Sequence, residues 1–370
     1  MKIQAFYDYS ENPLVLTADA AEQDELKLIV YPYRLELYVN DVLTDEEWPC
    51  GKLQKICCEP ETFAAQLQIV QGNEKDGKET IPAVTGEFDD AEGWMPGKGV
   101  FAGDCMPYAY GGRYHVLYLK DRHHHHSKWG KGAHQWAHIS SADLKHWQIH
   151  PMAVEIDDPN EGSICTGSFM AHAGKQYLFY TVRTMDGSPA PIRRSVSEDG
   201  YHFEKDRDFS FTLSARYTGA SARDPKVVQA ADGSFHMFVT STEVSSGCGV
   251  LVHLVSADLS HWKEEAEPIY RSPDSDEPEC SDYIAYHGHY YLIFSHHGSG
   301  QYLYSGEPFS GWQVPKTPEI PCESVPKAAV FEDRILFAGF KRIEGYAGTL
   351  TFKTAYADAD GELYYPGRGL

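Results

Sequence analysis

Cationic side chains are scarce in this sequence. Its 370 residues carry 32 lysines and arginines against 54 aspartates and glutamates, a formal net charge of −22. That balance repels phosphate backbones and anionic lipid, so neither nucleic acid nor a membrane is an expected partner. Long apolar runs are missing too. No stretch approaches a membrane span, and Met1 to Tyr9 contains no apolar core of signal-peptide length. The eight cysteines (50, 57, 58, 105, 165, 248, 280 and 322) show no CxxC pairing and no zinc-ligand spacing. Free thiols in a reducing cytoplasm are the expectation. Helical periodicity is nearly absent.

Aromatic residues are abundant: 24 Tyr, 17 Phe and 7 Trp. Packing between β-sheets accounts for most of them. The flat face and polar handle of Tyr and Trp also suit a sugar-binding cleft. The chain is long for one core, so one large domain and a smaller one are expected. In residues 1–90, Leu26–Tyr31 and Arg34–Asp41 read as strands, the second ending in an Asn40-Asp41 turn. Residues 63–70 read as strand or short helix, and Gln71–Lys78 as a polar loop. This part is expected to be a small β-rich, sandwich-like accessory domain without chemistry.

Residues 91–370 are organised by a repeat. Each unit opens with a turn glycine and an aromatic-rich strand, as at Gly112, Gly233 and Gly288. It closes on a Ser, acid, His, aromatic signature, at Ser140–Trp147, Ser197–Phe203, Ser256–Trp262 and, more loosely, Ser305–Trp312. The closing aromatics stand 56, 59 and 50 residues apart, and a fifth unit starts near Glu332. A period of that length accommodates a four-stranded blade, so the expected fold is all-β, a five-bladed β-propeller. A β-sandwich would not explain the spacing.

Asp104, Asp224 and Glu279 lie eight, nine and nine residues ahead of the three turn glycines. For any one of them a strand-end cap is the ordinary reading. Three at one register of a rotational repeat are expected to converge near its axis. Two carboxylates across a glycosidic bond suffice to hydrolyse it, one protonating the leaving oxygen and the other attacking or activating water. A third holds the sugar hydroxyls. Arg223 is expected to keep Asp224 ionised, and the acids of Asp274–Asp282 to keep Glu279 protonated. Ser163 and Ser168 have no His/acid pattern that would make either a nucleophile.

At these residues the sequence resembles glycoside hydrolase family 32, the β-fructofuranosidases. Ala222-Arg223-Asp224-Pro225 matches the family's Arg-Asp-Pro. Glu279-Cys280-Ser281-Asp282 matches its Glu-Cys-Pro-Asp with Ser for Pro, and Gly103–Tyr118 resembles its Asn-Asp-Pro-Asn-Gly segment and following strand. The likeness covers about residues 94–355. It implies a propeller, Asp104 as nucleophile, Asp224 as transition-state stabiliser and Glu279 as acid/base. It also implies retention, with nucleophile and acid/base about 5–5.5 Å apart, and no cofactor or metal. Departures are Gly103 for Asn, Cys105-Met106 for Pro-Asn, and a β-rich segment ahead of the propeller where the family carries a sandwich behind it. The expected substrate is a small carbohydrate, sucrose or a fructo-oligosaccharide. A family 43-like arabinosidase or xylosidase and a non-catalytic carbohydrate-binding propeller are the alternatives. Candidate substrate contacts are Arg223, Thr166, His134, Trp94 and Trp129, the last three with core packing as the competing reading. The run His123–His126 is read as an exposed loop rather than a metal site, because consecutive residues project in different directions.

Overall fold

The computed structural model describes all residues except 10, 33, 50, 74–85, 98–99, 123–133, 159 and 368–370. The run His123–His126 and Trp129 fall outside the described residues. Ahead of the repeat, Lys2–Tyr7 pairs with Leu14–Thr17 and Leu53–Glu59. A second sheet runs in the order Val42–Glu47, Leu35–Val39, Leu26–Val30, Leu67–Gln71. Strict alternation of buried and half-buried residues along Lys2–Tyr7 turns one face inward. Ile3, Leu16, Leu28, Leu37 and Phe63 fill a core of their own beneath these sheets. Asn40 and Asp41, with φ of 51° and 61°, make the tight turn between paired strands that Asn-Asp favours. The ambiguous 63–70 stretch splits, a helical turn at Glu61–Ala64 followed by the strand Leu67–Gln71.

The repeat folds into five antiparallel sheets. Their inner strands are Val100–Tyr110, Glu161–His172, Arg223–Gln229, Glu279–Tyr286 and Lys327–Phe331. Each inner strand packs beside the next, and Lys327–Phe331 packs back against Val100–Tyr110, so the five blades complete a ring. The seam is a single bridge, Gly348 to Ala102, between the third strand of blade five and the inner strand of blade one. A Cβ on Gly348 would stand 1.9 Å from the Lys341 carbonyl oxygen, so glycine is required there. Blade one extends further than its repeat, because Glu87–Asp89 adds an outer strand beside His146–Val154.

The Ser, acid, His, aromatic closings are turns that join a blade's third strand to the segment outside it. In three blades Asp143, Asp199 and Asp258 each accept two backbone N–H bonds through Oδ1 and meet a histidine Nδ1 three residues on, at 2.6–2.7 Å. A serine hydroxyl two residues earlier donates to the same Oδ1. Trp147, which closes the first of these turns, is fully buried in blade one's core. The signature is therefore architectural, and its histidines belong to the turns.

Candidate active site

Four inner strands carry the same irregularity. Gly103-Asp104 lies opposite Leu119 alone, Cys165-Thr166 opposite Thr181, Asp224-Pro225 opposite Val239, and Cys280-Ser281 opposite Phe294. Each is a two-for-one β-bulge, which bends a strand and re-aims its side chains. Asp224 and Cys280 take the left-handed conformation there, with φ of 59° and 51°. The expectation of one shared register is corrected by this. Asp104 is the second bulge residue of its blade, Asp224 the first of its own, and Glu279 precedes its bulge. Convergence comes from the bulges, which twist three different register positions onto one cleft.

That cleft has a volume of about 230 Å³ and includes Asp104, Asp224 and Glu279 among its lining residues, together with Arg223, Thr166 and His134. Asp104 Oδ1 accepts the Tyr346 hydroxyl at 2.7 Å, and the Asp104 N–H donates to that same hydroxyl oxygen at 3.3 Å. Burial pushes the Asp104 carboxyl up to about 6, against the pull of the Tyr346 bond and with the push of the neighbouring Asp224 and Glu279 charges. The Cys280 thiol faces Oδ2 at 3.6 Å, and burial holds that thiol well above its usual range, so it is not a thiolate. Asp224 is fixed on both oxygens, by the Thr166 hydroxyl on Oδ1 and the Cys280 N–H at 2.9 Å on Oδ2.

Arg223 is buried, yet it is not chiefly the partner of Asp224. Its Nε lies 3.6 Å from Asp224 Oδ2, whereas Nη2 donates to Glu279 Oε1 at 2.6 Å and Nη1 pairs with Glu277. The expected acidic surroundings of Glu279 are thus corrected. Its nearest charge is the Arg223 guanidinium, Glu277 is engaged by Arg223 and Thr242, and Asp274 and Asp276 turn away to histidines. Beneath the acids a buried Lys327 donates to the Gly167 carbonyl at 2.8 Å, and Lys226 pairs with Asp282 at 2.5 Å.

His134 lines the cleft but works through others. Its Nε2 lies 2.8 Å from Asp121 Oδ1, and its ring stacks on Tyr346 with centroids 5.1 Å apart. Trp94 is not among the residues lining the cleft. Its indole stacks on Phe88 at 4.3 Å and meets Tyr118 edge-on, packed against the core of blade one. Sequence reasoning missed Tyr346, which sits in the short link Ile343–Ala347 between two strands of blade five and belongs to no motif. Its only signal was Gly103, where a Cβ would come 2.9 Å from the Tyr346 hydroxyl oxygen. Arg183 was also missed. It lines the cleft, Nη1 bonds the Ala220 carbonyl, and no carboxylate pairs with it among the described residues.

Residues 96–314 match the family model described as "Glycosyl hydrolases family 32 N-terminal domain". Among curated proteins, the sucrose-6-phosphate hydrolase of Escherichia coli is 31% identical over 52% of this chain and 40% of its own length. The sucrose-6-phosphate hydrolase of Bacillus subtilis is 33% identical over 40% of this chain and 32% of its own. The chain therefore spans well under half the length of these relatives. Among solved structures, fructan 1-exohydrolase IIa from Cichorium intybus superposes with a TM-score of 0.60 at 16% identity, over 77% of this chain and 60% of that one. That likeness is one of fold.

Proposed function

The chain belongs to glycosyl hydrolase family 32, and on that premise we propose that it hydrolyses β-fructofuranosidic bonds of small fructosides with retention. The observation that carries this reading is the convergence of Asp104, Asp224 and Glu279 on one monosaccharide-sized cleft. Asp104 attacks the anomeric carbon as the glycosidic C–O bond breaks, and Glu279 gives its proton to the departing oxygen. Glu279 then takes a proton from water, whose oxygen displaces the Asp104 carboxylate. With Oδ1 held by Tyr346, Oδ2 is the attacking atom. Asp224, locked by Thr166 and the Cys280 amide, presents its remaining lone pairs to sugar hydroxyls and needs no rearrangement as positive charge develops. Arg223 holds Glu279 at the cleft edge. The same proposal sets the protein in a reducing, cytoplasmic compartment, in keeping with seven described cysteines that are all free.

Within this reading Arg183 favours a phosphorylated substrate. A guanidinium without a carboxylate partner among the described residues, in a protein of net charge −22, suits an anionic group. The Escherichia coli relative is named for sucrose 6-phosphate. The test is sugar release from sucrose, sucrose 6-phosphate, levanbiose, inulobiose and aryl arabinosides and xylosides, by wild type and Asp104→Ala. Fructose release that falls at least a thousandfold in Asp104→Ala is expected. Release of a pentose instead would keep the acids and overturn the sugar. Binding without turnover on every sugar would make the propeller a carbohydrate-binding module.

A further inference from the structure

Asp274 and Asp276 precede the strand that begins at Glu279, and both turn toward two histidines at the end of the next strand. His297 Nε2 lies 3.1 Å from Asp274 Oδ2, and His297 Nδ1 lies 3.4 Å from Asp276 Oδ2. His296 Nε2 lies 3.7 Å from Asp274 Oδ1 and 3.6 Å from Asp276 Oδ2. The His296 ring is buried, 6% exposed, with its Nε2 aimed into the group and bonded to the Ser272 hydroxyl at 2.9 Å. One ligand atom each from Asp274, His296 and His297 falls within 4.8 Å of the other two.

The molecule supplies its own contrast. Ser272 and Asp274 repeat the turn built at Ser141-Asp143, Ser197-Asp199 and Ser256-Asp258, the serine hydroxyl donating to Oδ1 and a backbone N–H two residues on joining it. In those three turns the aspartate meets one histidine from its own turn, and a single Asp–His pair is complete as it stands. At Asp274 that histidine is absent, since Glu277 stands three residues on. Two imidazoles from another strand and a second aspartate take its place.

We propose that Asp274, His296 and His297 form a site for a divalent transition-metal ion of the zinc type, with Asp276 orienting His297 through its other ring nitrogen, Nδ1. Two imidazoles and a carboxylate are a donor set that suits such ions, whereas magnesium and calcium prefer all-oxygen cages. Zinc bonds of about 2.0–2.2 Å place tetrahedral ligand atoms about 3.3–3.6 Å apart. The three ligand atoms lie within 4.8 Å of one another, so binding draws them together toward that edge. The bound ion replaces the Ser272 hydroxyl on His296 and leaves one position for water. Its place in the fold gives it a task. It ties residues 272–278, which deliver Glu277 and Glu279 to Arg223, to the strand His289–His296 of the same blade.

The experiment is calorimetric titration of Zn²⁺ into protein dialysed against EDTA, for wild type, His297→Ala, Asp274→Asn and the control His261→Ala. His297 and Asp274 are surface residues, so their variants keep the core, and melting curves without metal check this. One equivalent bound by wild type and His261→Ala, with affinity lowered at least tenfold in the other two, is the expected result. Visible d–d absorption of the Co²⁺ form should fade in the same two variants. Wild type that takes up no Zn²⁺ overturns the proposal. So does uptake that His297→Ala and Asp274→Asn leave unchanged, which would move the ion elsewhere, for instance to His123–His126.

Discussion

Tyr346 sets the working range of Asp104. Burial holds the Asp104 carboxyl at about 6 even with the tyrosine bond in place. A nucleophile must be ionised, so kcat/KM should rise as pH climbs through about 6. Removing the hydroxyl in Tyr346→Phe deletes a donor that favours the ionised form. The acid limb should then move up by roughly half to one unit, with a lower plateau. A pH profile of kcat/KM for the two proteins checks this, and coincident acid limbs would show that the bond does not tune Asp104. The acids themselves were legible in the sequence, because Arg-Asp-Pro and Glu-Cys-Ser-Asp are contiguous motifs. Tyr346 was not, since it stands 242 residues from the group it serves and only the closed ring brings them together.

At the scale of the element, the period of the closing signatures located the blades, and the aromatic-rich strands located their cores. What the pattern could not show was the bulge, because a two-for-one irregularity appears only once the partner strand is known. Counting back from turn glycines therefore found three acids that line one cleft while misassigning their register. Trp94 was ambiguous for a related reason, since a tryptophan near a mouth looks the same in sequence whether it faces sugar or Phe88. The closing turns carry a prediction of their own. Asp258→Ala removes the acceptor of two backbone N–H bonds and a histidine partner. It should lower the melting temperature, as loss of a helix cap does, while leaving kcat/KM within twofold. A comparable loss of activity would mean that the turn supports the cleft.

At the scale of the whole molecule, one cluster of acid-sensitive imidazoles among the described residues lies where blades one and two meet. Burial depresses the imidazoles of His115 to about 3 and His150 to about 4, and holds His138 well below its usual range, with the neighbouring imidazoles and Arg113 adding to it. His115 Nδ1 and His138 Nε2 are 2.9 Å apart and share one proton between them. Unfolded histidine titrates near 6.5, so these groups favour the fold above that pH. Their contribution is lost as pH falls from about 6.5 toward 4, each group at up to about 1.4 kcal/mol per pH unit. Urea melts at pH 7.5 and 4.5 should show that loss, and His138→Asn should flatten it. An unchanged slope in the variant would place the acid lability elsewhere.

The Gly348–Ala102 seam and the Tyr346–Asp104 bond lie side by side, both joining the last blade to the first. During synthesis Asp104, the proposed nucleophile, leaves the ribosome some 240 residues before the tyrosine that holds it. An emerging chain thus possesses all three acids well before it possesses a poised one. On the proposed mechanism, catalytic competence is a certificate of ring closure, issued only when the last blade has met the first.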